Sequence, residues 1–265
     1  MILLNLPKYI DYTIIIIFGL IIGSFLNVVI LRFDDLKSIL KTRSHCPHCK
    51  KELAWYDLAP FFSYVLLIGK CRNCKKEISI QYPLVEVGTA VIFALLFWKF
   101  GISVQFAFLM IISALLIIML TYDILHMLIS DFLVYLAIAI WIIYLVIDYF
   151  LLGHSRFLIL NSLYGGLALG GFLGLLVLIS REKWMGIGDI KLGLLLGLIS
   201  AWPNVLLTAF LSFTLGSLIS LPLIFSKKKN LKDKIPFTPF MILATFITIF
   251  YGDKIISWYL GRIGF

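Results

Sequence analysis

Six side chains of this 265-residue chain stand in patterns that suggest chemistry: two acids and four cysteines. Asp189 belongs to Gly186-Ile187-Gly188-Asp189-Ile190-Lys191, at the mouth of a long apolar run, and Asp123 closes an earlier apolar run. Ionisable groups at bilayer depth are expensive to keep and are functional candidates by default. Two carboxylates within a few ångströms cannot both ionise easily and tend to share a proton. One can act as general base on a water while the other protonates the carbonyl or leaving group. Such a pair hydrolyses a peptide without metal or covalent intermediate. Helix capping is the competing use, since Gly188-Asp189 and Ser130-Asp131 both fit an N-cap. Asp131 is a cap or an orienting group. Lys191 either tunes Asp189 or is a solvated lysine at a membrane edge.

The cysteines form two C-x-x-C knuckles, Cys46-Pro47-His48-Cys49 and Cys71-Arg72-Asn73-Cys74, separated by 21 residues. Paired knuckles at about this separation predict a tetrahedral structural zinc site, although the gap is slightly longer than usual. Thiol redox chemistry is the alternative, but it needs one pair rather than two. Four cysteines leave no open coordination position, so the metal would serve folding.

The elements that must hold these groups are helices in lipid. Hydrophobic residues make up 62% of the chain and charged residues 14%, against ~25% charged in soluble domains; mean hydropathy is +1.04. Apolar runs cover 12–31, 84–100, 104–122, 132–152, 157–179, 190–225 and 237–251, several near the ~20 residues that cross a bilayer. Pro203 favours a turn within 190–225, which makes that run two spans. The fold expected is an all-α polytopic membrane protein of about eight transmembrane helices, with a zinc-knuckle-like loop after the first. Residues 1–31 are the first span, 32–83 the cysteine loop and 84–265 a catalytic bundle.

With eight spans, loops 32–83, 123–131, 181–191 and 226–235 hold 18 of the 23 Lys and Arg. The positive-inside rule makes those loops cytoplasmic. The net charge of +9 is therefore read as a topology signal, with the lipid bilayer as partner and no nucleic acid. Asp123 then ends a span at the cytoplasmic face and Asp189 starts one there, at the same depth.

In this order the motifs resemble the type IV prepilin leader peptidases, also called prepilin peptidase/N-methyltransferases. Gly23-Ser24-Phe25-Leu26-Asn27-Val28-Val29, the twin C-x-x-C loop, Tyr82-Pro83 with Glu86, Asp123 with Asp131 eight residues on, Gly186-x-Gly188-Asp189-x-Lys191 and Pro236-Phe237-Thr238-Pro239-Phe240 carry the likeness. Ser130 departs from the usual proline and Thr238 from the usual glycine. The resemblance implies an intramembrane aspartyl endopeptidase of the prokaryotic cytoplasmic (inner) membrane, with Asp123 and Asp189 as the catalytic pair. Its substrates would be prepilins or pseudopilins of type IV pili or protein secretion, cut at the cytoplasmic face behind a short basic leader. Bifunctional members then methylate the new N-terminus with S-adenosylmethionine; no glycine-rich nucleotide loop marks where that cofactor would bind. A membrane transporter using the acids as ion sites, or a non-catalytic assembly scaffold, are the competing expectations. No inverted repeat, which many transporters show, is visible in the spans.

Overall fold

The computed structural model describes residues 8–33, 44–151, 153, 156–225 and 235–263. The basic stretch 227–234, along with Lys37, Lys41 and Arg43, lies outside the described residues. Among the described residues there are nine α-helices: α1 Lys8–Leu31, α2 Phe62–Leu66, α3 Gln81–Phe100, α4 Val104–His126, α5 Asp131–Leu151, α6 Arg156–Ser180, α7 Ile187–Ser200, α8 Asn204–Phe225 and α9 Thr238–Ile263. Among the described residues there is no strand, only the isolated bridges His45 to Glu52 and Lys70 to Glu77. The all-α expectation holds. Among the described residues seven helices are long and apolar enough to cross a membrane, so the chain is a multi-pass membrane protein.

The count of spans is sharpened at α7. The run 190–225 does divide at Trp202-Pro203, but unequally. The helix before the break has 14 residues, about 21 Å long, short of the ~30 Å hydrocarbon core. The last helix, by contrast, runs well past the expected end at Tyr251. Asp253 accepts a hydrogen bond from the Asn204 amide at 3.0 Å, so the charge that seemed to end the span is used within the bundle.

The chain divides into two compact units, Met1–Ile118 and Met119–Phe265. In the first, α1 and α3 pack antiparallel along a stripe of small residues. A Cβ on Gly19 would stand 2.6 Å from the Ala90 Cα, and one on Gly23 2.6 Å from the Glu86 Cα. Only glycine permits backbones this close, which is the contact that small-xxx-small spacing provides in lipid. One turn on, the Asn27 amide donates to the Tyr82 carbonyl at 3.1 Å.

In the second unit α7 is the hub, touching α5, α6, α8 and α9. Its closest partner is α6, where Gly165 and Gly197 oppose each other backbone to backbone. The glycines that make α6 a weak helix in isolation are what let it seat against α7. Nearby, Trp141 Nε1 donates to the Leu198 carbonyl at 3.1 Å, tying α5 to the same hub. Asp148, near the far end of α5, is buried and accepts from the Tyr144 hydroxyl at 3.4 Å.

Candidate functional site

The acid pair lies in the second unit. Asp123 sits three residues before the end of α4 and is 5% exposed. The helix stops just beyond it: Met127 adopts φ +55°, and its N–H donates to the Asp123 carbonyl at 2.8 Å. That left-handed turn, uncommon for a side chain of this size, sends the chain toward the start of α7. There Ile129 packs on Gly188, where an added Cβ would stand 3.2 Å from the Ile129 side chain. The second glycine of the G-x-G-D motif is thus a docking surface for the loop after Asp123.

Asp189 occupies the third position of α7, not its N-cap. Gly186 is the cap residue, and its N–H donates to Asp189 Oδ2 at 3.0 Å. The carboxylate reaches back to satisfy a donor that the helix leaves open, half of a capping box. Glycine has no side chain to complete the other half. Capping and chemistry are therefore not alternatives here, because one oxygen caps while the group stays half-buried and within electrostatic reach of Asp123. The space beside Gly186 is open: an added Cβ would come no nearer than 3.9 Å to any neighbour, the Asp189 carboxylate and the Gly188 nitrogen.

Asp131 and Lys191 find each other. Lys191 Nζ lies 2.6 Å from Asp131 Oδ2 and 5.6 Å from the centre of the Tyr135 ring. The lysine two residues after Asp189 is thereby engaged with the start of α5, and the pair braces α5 against α7. His126 is exposed and stacks on Tyr122 at 4.4 Å between ring centres.

Thr238 emerges as a neighbour that spacing did not reveal. It starts α9, is fully buried, and its hydroxyl lies beside the Asp123 carboxyl. No well-formed bond closes between them, since Asp123 Oδ2 and Thr238 Oγ1 both remain without a hydrogen-bond partner. Buried polar atoms are almost always paired, so two orphans side by side mark a place built for a further polar group. The only hint in the sequence was that a threonine stands in the Pro236-Phe237-Thr238-Pro239-Phe240 motif where glycine is usual.

The four cysteines lie in the first unit and come together. Their sulfurs are all within 4.8 Å of one another, and Cys46 Sγ is 3.9 Å from Cys74 Sγ. Tetrahedral coordination at ~2.3 Å requires sulfurs about 3.8 Å apart, so the donor set fits a zinc-like ion. The two knuckles repeat each other with an offset of 25 residues. Cys46 N–H donates to Lys51 C=O and Cys71 N–H to Lys76 C=O; Lys50 N–H and Lys75 N–H return to Cys46 and Cys71 C=O. Lys50 and Lys75 share a positive φ, +57° and +60°. Backbone N–H groups of Cys74 and Asn73 pull the Cys71 thiol down to about 6. Cys74, although the Lys76 backbone pulls it down, is pushed up to about 11 by burial and the neighbouring sulfurs. Four thiolates this close need a cation among them.

Beside the cysteines the loop is anchored to the spans. The Phe61 N–H donates to Glu86 Oε2 at 2.7 Å, and Arg72 pairs with Asp57 at 2.8 Å. The apolar stretch of the loop turns Trp55, Leu66 and Ile68 outward, each more than 80% exposed.

Comparison with known proteins also divides the chain, between α3 and α4. Residues 17–100 match the bacterial peptidase A24 N-terminal domain, and residues 109–221 match the type IV leader peptidase family. Three relatives carry the name prepilin leader peptidase/N-methyltransferase. The one from Bacillus subtilis is 34% identical, covering 94% of this chain and 97% of its own. That from Legionella pneumophila is 30% identical over 98% and 97%, and that from Pseudomonas aeruginosa 29% over 94% and 93%. No solved structure matches the chain.

Proposed function

The chain belongs to the type IV leader peptidase family, and we propose that it is an aspartic endopeptidase whose acid–base pair is Asp123 with Asp189. Its substrates are prepilins or pseudopilins, and its site faces the cytoplasm. The observation that carries this reading is the buried, unpartnered Asp123 Oδ2 within electrostatic reach of Asp189.

The reading calls for a shared proton. Two carboxylates that approach within a few ångströms hold one between them, so that one is an acid while the other is a base. The base takes a proton from water as the oxygen attacks the scissile carbonyl. The acid gives a proton to the carbonyl oxygen, and the leaving amine is protonated as the C–N bond breaks. Gly186 N–H holds one Asp189 oxygen, which fixes the orientation of that carboxyl and leaves the other oxygen for chemistry. The open side of Gly186 gives an extended substrate backbone room to approach. Asp131 and Lys191 act through position, holding α5 on α7.

The cysteine loop holds one structural zinc through Cys46, Cys49, Cys71 and Cys74. In this reading residues 84–265 contain the peptidase bundle and residues 32–83 a cytoplasmic metal-stapled loop. The methyltransferase half of the relatives' name extends to this chain as N-methylation of the new N-terminus, with S-adenosylmethionine supplying the methyl group. Reconstitution with a model prepilin tests the peptidase. Leader removal disappears in Asp123→Asn and in Asp189→Asn, each alone, while helicity is kept; normal cleavage by either variant overturns the pair.

A further inference from the structure

Residues 58–69 of the cysteine loop form a run of twelve without a charge, bounded by Asp57 and Lys70, in a loop that is otherwise basic. Such a run is too short to span a bilayer and has the length of a re-entrant or interfacial segment. Its exposure is inverted. The short helix α2 within it turns Phe62, Val65 and Leu66 outward and keeps Ser63 half-buried, whereas a helix facing water does the opposite. Just beyond it, Ile68 is exposed as well. Apolar side chains gathered on one exposed face mark a contact with lipid or with protein.

Depth decides between them. Helix α3 has 20 residues, about 30 Å, so its start lies near one edge of the hydrocarbon core. Glu86 is five residues on from Gln81, about 7 Å deeper along the axis. Its carboxylate accepts the Phe61 N–H at 2.7 Å, which pins the segment at the ~5–10 Å depth to which interfacial helices bury their apolar face. Opposite Glu86 stands Gly23 of α1, well inside the apolar run that ends at Leu31. The backbone is also fit for lipid. The N–H groups of Ser63, Val65, Leu67, Ile68 and Gly69 all donate to carbonyls of the segment itself, and Phe61, at φ +62°, finds its acceptor on Glu86. Backbone at membrane depth must be satisfied by protein in this way. The flanks suit headgroups. Trp55 is exposed, and the Arg72 guanidinium lies 5.1 Å from the centre of the Tyr56 ring and pairs with Asp57; aromatic residues of this kind gather at the membrane–water boundary. Because Arg72 belongs to the second knuckle, the anchorage passes directly to the cysteine cluster.

We propose that residues 58–69 are an interfacial anchor, inserted into the leaflet at the loop end of α1 and α3 with Phe62, Val65, Leu66 and Ile68 among the acyl chains. The anchor holds the cysteine cluster against the membrane. Photocrosslinking of the full chain in lipid nanodiscs tests it, with p-benzoylphenylalanine in place of Leu66, Ile68 or the inward-facing Leu67 and the adducts identified by mass spectrometry. Leu66 and Ile68 give lipid adducts, and Leu67 stays at background. Adducts to a second copy of the chain or to an added prepilin, in place of lipid, make the face a protein interface and overturn the anchor. Absence of any adduct at Leu66 and Ile68 places the face in water and overturns it too. Leu66→Asp gives an independent reading. A water-exposed face tolerates that substitution, whereas a lipid-inserted one is expelled by the charge, and tryptic nicking at Lys70 and Arg72 rises about ten-fold. Unchanged nicking overturns the anchor. An unchanged melting temperature shows that the labelled chains fold; where the label at Leu66 fails this, Ile68 and Leu66→Asp decide.

Discussion

The acid pair and the cysteine cluster solve the same problem, like groups brought close together, in opposite ways. The cysteines come from two copies of one local motif, and their mutual repulsion is removed by a cation that their spacing fits. The acids lie 66 residues apart in sequence, and among the described residues no cation pairs with either; Lys191 is turned instead to Asp131. One cluster is closed and rests in its lowest state. The other is left one partner short, with orphaned oxygens on Asp123 and Thr238. A structural centre satisfies its charges, whereas a reactive one leaves them to be satisfied by what it acts on.

The comparison breaks most sharply at the acids. Asp123→Asn or Asp189→Asn should lower prepilin cleavage by at least about 10³-fold, on the scale of losing an acid–base group, with no change in bound zinc by elemental analysis. At the cysteines the effects should reverse. Cys71→Ser should lose the metal, whose binding free energy in such sites is on the order of 10 kcal/mol, with proteolytic nicking confined to residues 44–80. The cluster should also respond to acid. Each ligand must shed its proton to bind metal, so affinity falls as pH drops. Zinc should therefore stay bound at pH 7 and be released progressively as the pH is lowered, as a chromogenic chelator would report.

Smaller effects separate packing from either site. Gly197→Ala would place a Cβ 2.8 Å from the Gly165 carbonyl carbon and should cost about 1–3 kcal/mol, read as a lower melting temperature. Gly171→Ala, with nothing within 4 Å, is the matched control and should be neutral or slightly stabilising. Thr238→Val removes a hydroxyl that is already unpaired. Its stability change should stay within about 1 kcal/mol, and the pH profile of cleavage should be what moves.

What could be read in the sequence followed from local spacing. The stripe Gly19, Gly23 and Asn27 announces a close helix contact, and the chain supplies it against Ala90, Glu86 and Tyr82. The C-x-x-C pairs announce their cluster in the same way. Asp123 and Asp189 were singled out by the rarity of acids in apolar runs and by ordered motifs. What spacing does not encode is which distant groups meet. Thr238 beside Asp123, Phe61 N–H on Glu86 and Lys191 on Asp131 are contacts across many residues and depend on packing. The short α7 escaped a reading by hydropathy because its apolar run continues through the break at 201–203. Asp189 reads as an N-cap because glycine and aspartate stand together, while the helix in fact begins two residues earlier.

The 25-residue offset between the knuckles gives the loop a ruler with one free segment. Each knuckle closes on its own backbone, so the metal site does not set the length of chain between them. Residues 54–68 are instead measured by a second distance, from the first knuckle to Glu86 through the Phe61 N–H. A deletion there would leave four sulfurs able to gather and yet pull Phe61 from its acceptor. The slightly long gap between the cysteine pairs is thus the length of a tether to the membrane helices, not of a zinc ribbon.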